Sequence, residues 1–128
     1  MKLVTGAGGF IGSNLVAALE AAGDEIVVCD RLDERSKMRN LENRRIAEYV
    51  QSDNLLNFMR DRVREIDTVF HMGAISSTTE TNVSLITEMN VQLPISIWNW
   101  CRDHKVPFIY ASSAATYGDG VLGFDDND

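Results

Sequence analysis

Two cysteines in 128 residues, Cys29 and Cys101, are too few for a disulfide framework and do not stand at metal-ligand spacing. They read as small buried hydrophobes in a chain of the reducing cytoplasm. Long apolar runs are missing as well, since none approaches the ~18–20 residues that a membrane-spanning helix needs. The start of the chain offers no secretory leader: Met1-Lys2 leads straight into a short apolar run that a glycine-rich turn interrupts. Basic charge is in deficit, with 12 Lys and Arg against 19 Asp and Glu and a net charge of −7, which argues against a general nucleic-acid surface. No repeat, low-complexity tract or linker breaks the sequence. The length bounds it to one domain at most, enough for a real core but short for an enzyme that must also hold a second substrate.

What is present begins at the N-terminus. Leu3-Val4-Thr5 is a short apolar strand, followed by Gly6-Ala7-Gly8-Gly9-Phe10-Ile11-Gly12 and a helical run from Ser13 to Ala22. A strand, a glycine-rich turn and a helix together make a phosphate site: unpaired N–H groups at the helix N-terminus and the summed peptide dipoles favour an anion there, with no lysine required. In the Gly-x-x-Gly-x-x-Gly spacing, Gly6 permits the tight turn, Gly9 lets backbone approach the phosphates, and Gly12 lets the helix lie against the strand. Phe10 and Ile11 open that helix beside the phosphates. The strand before and helix after the glycines are the context that makes the string a dinucleotide-binding motif.

Apolar runs bounded by turn residues then alternate with helical segments. Strands are expected over 2–5, 25–29, 47–50, 67–71 and 107–111, and helices over 10–22, 54–64 and 84–104. The pattern predicts an α/β fold, a Rossmann-type doubly wound parallel sheet of about five strands with helices on both faces. Ala17, Ala18, Ala21 and Ala22 are expected to let the first helix sit close to the sheet, and Gly23 to stop it. Residues 1–118 read as an incomplete dinucleotide-binding domain and 119–128, rich in Gly and Asp, as an acidic flexible tail.

The second strand ends at Asp30, eighteen residues after Gly12, where dinucleotide folds often set a carboxylate against the adenosine ribose, a pattern that suggests NAD. Against that, Arg31, Arg35, Lys37, Arg39, Arg44 and Arg45 put half of the 12 basic residues into 15 positions. A 2′-phosphate wants such neighbours, and the planar fork of Arg suits phosphate and adenine alike, so the expectation leans to NADP. The alternative is a solvated loop and helix of mixed charge, since Asp33, Glu34 and Glu42 lie among those basic residues. Asp53, just after the third strand, is either an acceptor for the adenine amino group or the N-cap of the next helix.

The fourth strand, Thr68-Val69-Phe70-His71, runs into Met72-Gly73-Ala74 and then Ile75-Ser76-Ser77-Thr78-Thr79. Small residues at a strand's carboxyl end let a flat cofactor pass, and Ser76, Ser77 and Thr78 would face the same crevice as the glycine turn, or else satisfy turn backbone. His71 reads as a packed, hydrogen-bonded histidine. Met89, Leu93, Ile97, Trp98 and Cys101 recur at helical spacing, so Trp98 and Trp100 read as packing residues and candidate subunit contacts, while Asn90 could brace a neighbouring loop. The fifth strand opens into Ser112-Ser113, hydroxyls placed where a substrate alcohol must approach the nicotinamide within roughly 3–3.5 Å.

Thr5-Gly6-x-x-Gly9-x-x-Gly12, Asp30, Asp53, His71-Met72-Gly73-Ala74 and Ser112-Ser113, in this order, resemble the extended short-chain dehydrogenase/reductases over nearly the whole chain. More narrowly, the strings from Gly73 to Glu80 and from Tyr110 to Gly118 resemble nucleotide-sugar epimerases of the ADP-heptose type, which supply the lipopolysaccharide core. That resemblance implies a tightly held NADP that takes hydride from the sugar's C6 and returns it to the opposite face, a nucleotide-sugar substrate, and Ser113 as the catalytic serine. It also implies a Tyr-x-x-x-Lys pair in which the lysine lowers the tyrosine pKa. No such pair is present: four positions after Tyr49, Tyr110 and Tyr117 stand Asp53, Ala114 and Val121. The chain is therefore expected to be the N-terminal part of such an enzyme, inactive alone, without the sugar-binding region. A stand-alone dinucleotide-binding module, or another nucleotide-sugar epimerase, dehydratase or reductase, are the alternatives. A sheet ending at its fifth strand is expected to leave apolar surface that self-association would cover.

Overall fold

The computed structural model describes residues 1–31, 35–72 and 92–110. Five strands form one sheet: β1 (Lys2–Thr5), β2 (Ile26–Asp30), β3 (Glu48–Gln51), β4 (Thr68–His71) and β5 (Phe108–Tyr110). Their order across it is β3-β2-β1-β4-β5, and every pairing is parallel. The order reverses between β1 and β4, so the crevice beyond their carboxyl ends is the place where open α/β sheets take ligands. The sequence expectation of a Rossmann-type sheet is met.

Alternation along the strands sets the two cores. Leu3, Val27, Cys29, Val50 and Val69 point to one face, where they pack with Leu55 and Met59 of α3 (Leu55–Asp61) and with Ile97 and Cys101 of α4 (Leu93–His104). Val4, Ile26 and Val28 point to the other, against Val16 of α1 (Phe10–Ala21) and Leu41, which follows α2 (Arg35–Asn40). All five residues of β2 are buried, as a central parallel strand requires with helices on both sides.

Two sequence expectations need correction. The helix-packing face of α1 is Gly12 and Val16 with Leu15 and Leu19, while Ala18, Ala21 and Ala22 face solvent and serve as strong helix formers rather than as contacts. Gly23 does stop the helix: at φ +84° it takes a left-handed conformation, its N–H reaches Glu20 O, and the Asp24 N–H reaches Leu19 O. The segment expected to be helical over 54–64 is a 3₁₀ turn at Ser52–Asn54 followed by α3, which ends at Asp61. Helix α2 lies in the basic segment, for which the sequence offers a solvated loop and helix only as the alternative reading. Of the helix expected over 84–104, the described part is α4.

Candidate functional site

The glycine turn joins β1 to α1 and is pinned to the neighbouring strand, for the Gly6 N–H donates to Cys29 O at 2.8 Å. Gly6 has φ +64°, the left-handed region that an L side chain resists, so the expected tight turn is real. A Cβ on Gly12 would stand 2.1 Å from Gly6 O and 2.8 Å from Ala7 Cα; the helix start lies directly on the turn's own backbone. At Gly9 a Cβ would touch, among the described residues, only Gly6 O, at an ordinary 3.4 Å. The described residues thus leave room over Gly9. Helix α1 begins there with no capping side chain and no acidic residue in its first turn, which leaves the amides of Phe10, Ile11 and Gly12 as donors that no helical carbonyl reaches. Phe10 and Ile11 are 82% and 61% exposed, apolar side chains standing at the rim.

Asp30, the last residue of β2, is 6% exposed and receives three donors. Gly8 N–H reaches its Oδ2 at 2.8 Å, while Arg31 N–H and the Lys37 ammonium reach Oδ1 at 2.7 and 2.8 Å. The carboxylate predicted to meet the ribose therefore also ties the turn to α2, and Oδ2 keeps a lone pair for one more donor. The basic cluster read from sequence disperses. Arg31 and Lys37 sit beside Asp30; Arg44 pairs with Glu20 at 3.6 Å, and with Arg35 and Arg39 it lines an open groove beside Met38, Leu41 and Tyr49. Arg45 contributes its backbone N–H to Glu20.

Asp53 lies exposed within the 3₁₀ turn, and α3 is capped at Asn54 with no side-chain bond, so the capping role is not used. His71 ends β4 in register with Thr5, and Thr5 Oγ1 and His71 Nδ1 share a hydrogen bond of 2.6 Å. Burial pushes the imidazole pKa down to about 4, so the ring is neutral at pH 7, as a packing histidine should be. The Met72 N–H donates to Thr5 O at 3.1 Å, which holds the two strand ends together at the crevice. On α4, Trp100 packs against the core and Trp98 turns outward, about half exposed under the Arg102 guanidinium at 5.0 Å. Both cysteines are buried, and burial raises Cys29 to about 12 and Cys101 to about 11, which makes them inert. Gly73, Ala74, Ser76, Ser77, Thr78, Met89, Asn90 and Ser113 lie outside the described residues.

Sequence reasoning missed α2 as a wall of this site. The one signal was Lys37 in the basic cluster; the Asn40 side chain, whose amide donates to Gly8 O at 2.7 Å across 32 positions, left none.

A parallel sheet with a glycine turn under a helix start and a carboxylate at the end of β2 is common to many nucleotide enzymes, so comparison with known proteins decides among them. A family model described as the NAD dependent epimerase/dehydratase family matches residues 2–127. The chain belongs to that family. Curated epimerase relatives include the ADP-L-glycero-D-manno-heptose-6-epimerase of Nitratidesulfovibrio vulgaris, 44% identical over all of this chain and 41% of the relative. Another with that activity, from Fusobacterium nucleatum, is 38% identical over 99% of this chain and 39% of its own length. Among solved epimerase structures, the Helicobacter pylori ADP-L-glycero-D-manno-heptose-6-epimerase superposes with a TM-score of 0.74 at 31% identity, covering 92% of this chain and 40% of that one. UDP-glucose 4-epimerase from Brucella ovis, solved in complex with NAD, gives 0.73 at 26% identity over 99% of this chain and 40% of the other. This epimerase-family chain thus spans about two-fifths of the length of these relatives. Among its described residues no helix is long and apolar enough to cross a membrane.

Proposed function

We propose that the chain is the dinucleotide-binding part of an NADP-dependent nucleotide-sugar epimerase that works at C6 of an ADP-heptose, and that these 128 residues alone do not turn the sugar over. The observation that carries the cofactor choice is Lys37, whose ammonium stands 2.8 Å from Asp30 Oδ1, a cation placed where the adenosine ribose would meet β2, with Arg31 next in sequence and bonded to Asp30 through its backbone N–H. A 2′-phosphate there would exchange a carboxylate partner for a doubly charged one. The pyrophosphate fits the other end: the first-turn amides of α1 would donate to it and the space over Gly9 would admit it. NADP, when bound, supplies a hydride acceptor that later returns the hydride. The chain's own share is to hold it: the glycine turn and α1 at the phosphates, Asp30, Arg31 and Lys37 at the ribose, Asp53 at the adenine, and Met72, Gly73, Ala74 and Asn90 along the β4 side. Ser113 would hold the reacting hydroxyl, with Ser76, Ser77 and Thr78 near the sugar.

Identity to two heptose epimerases supports the ADP-heptose assignment. The reading that the chain alone is inactive is supported by the missing Tyr-x-x-x-Lys pair, which in the enzymes it resembles takes the alcohol proton. The pair and the sugar-binding residues would belong to the part of the relatives' length that this chain does not span. The two buried thiols suit a cytoplasmic enzyme, and the outward Trp98 suits a contact between subunits.

Replacing Lys37 tests the cofactor choice. Lys37→Ala is expected to weaken NADP by about tenfold, the worth of one charge-assisted hydrogen bond, and to leave NAD within about twofold. Equal losses for both nucleotides would overturn the NADP reading in favour of NAD, which the Asp30 carboxylate alone could serve. Incubating the chain with NADP and ADP-heptose should give no epimer; measurable turnover would contradict the inactivity.

A further inference from the structure

Gly8, the one glycine of the turn to which the motif spacing gives no task, is held from three sides. Its N–H donates to Asp30 Oδ2 at 2.8 Å, its carbonyl accepts from Asn40 Nδ2 at 2.7 Å, and a Cβ built on it would lie 2.5 Å from Lys37 Cβ. Two of those three contacts come from α2. That helix buries none of its six residues; among the described residues, the Asn40 amide on Gly8, the Lys37 ammonium on Asp30 and the buried Leu41 that follows it hold it to the body.

The Gly8 carbonyl and the Gly9 N–H belong to one rigid peptide plane. Asn40 grips the plane by its oxygen, and Gly6 O accepts from its nitrogen side at 3.1 Å. Glycines flank the plane on both sides, so no Cβ limits its rotation and these two bonds set its orientation. The Gly9 end of the plane is where the space for the phosphates opens.

We propose that Asn40 is a positioning residue for the dinucleotide, its side-chain amide fixing the Gly8–Gly9 peptide and with it the turn on which the pyrophosphate rests. This rests on the dinucleotide reading above. It assigns α2 two tasks at once, with Lys37 at the ribose end and Asn40 at the pyrophosphate end, joined through Gly8.

The test is Asn40→Ala in the 128-residue chain, titrated with NADP, NAD and adenosine 2′-monophosphate, with the thermal midpoint measured alongside. NADP and NAD are expected to weaken together by about tenfold, and the monophosphate, which has no pyrophosphate, to stay within about twofold, since one neutral hydrogen bond is lost. Asn40→Asp, which keeps the shape but sets an acceptor against an acceptor, should lose at least as much. A purely structural role would instead lower all three ligands in step with the midpoint, and that result overturns the proposal, as do unchanged affinities for NADP and NAD. Amide exchange decides the clamp separately: Gly9 N–H, which shares the peptide plane with the Gly8 carbonyl, should exchange about tenfold faster in Asn40→Ala while core amides such as Val28 keep their rate. If the parent chain binds neither dinucleotide, the reading of function fails; faster Gly9 exchange then leaves the Asn40 clamp standing, and an unchanged rate removes it too.

Discussion

Gly12→Ala should abolish most dinucleotide binding and cost the fold about 3 kcal/mol, the upper range for forcing a methyl group into packed surroundings. The atoms it would meet are Gly6 O at 2.1 Å and Gly6 C and Ala7 Cα at 2.8 Å, all backbone, so relief requires α1 to move off the turn. Movement of about 1 Å takes the first-turn amides away from the phosphates, and misplacements of that size can cost on the order of a hundredfold. Gly9→Ala separates the two consequences. Gly9 has φ −78°, which alanine accepts, and among the described residues its Cβ would meet nothing closer than Gly6 O at 3.4 Å. Its stability should therefore stay within about 0.5 kcal/mol of the parent, while the methyl group fills the space meant for the pyrophosphate and affinity drops. Denaturant unfolding and calorimetric titration of both variants check this. Equal stability of the Gly12 and Gly9 variants, or undiminished binding by either, would contradict it.

His71 should make the fold acid-sensitive in a window unlike that of carboxylates. Its pKa is pushed down to about 4 by burial, against an ordinary 6.5 for the imidazole. Between those values the unfolded chain binds a proton that the folded chain refuses. The stabilisation is thus present above pH 6.5 and is lost as the pH falls from 6.5 towards 4, by on the order of a few kcal/mol at pH 4.5. Protonation would put a charge 3% exposed between β4 and β5, where Nε2 has no partner among the described residues. Urea unfolding of the parent and of His71→Leu between pH 7 and 4.5 isolates the effect, because carboxylates contribute to both. The difference between the two should shrink or reverse as pH falls; parallel loss would mean that His71 titrates normally in the fold.

The parts of this site that sequence alone discloses are those encoded within a few residues. The glycine spacing between an apolar strand and a helical run announced the turn, and Gly6 and Gly12 occupy the two conformations assigned to them. The carboxylate at the end of β2 was legible for the same reason, from its distance along the chain to Gly12. What stayed hidden was long-range or aperiodic. Helix α2 reads Arg-Ser-Lys-Met-Arg-Asn, with one apolar side chain and no face to bury, so no hydrophobic period could reveal it. The cluster of six basic residues looked like one surface because linear density says nothing of direction; folded, Lys37 turns to Asp30 and Arg44 to Glu20. The alanines of α1 misled in the same way, since small size is compatible with close packing and with simple helix propensity.

The most direct test is calorimetric titration of the 128-residue chain with NADP and with NAD at matched salt, after cooperative unfolding has confirmed that it is folded. The account predicts saturable binding of one dinucleotide per chain, tighter for NADP. A folded chain that binds neither would contradict it.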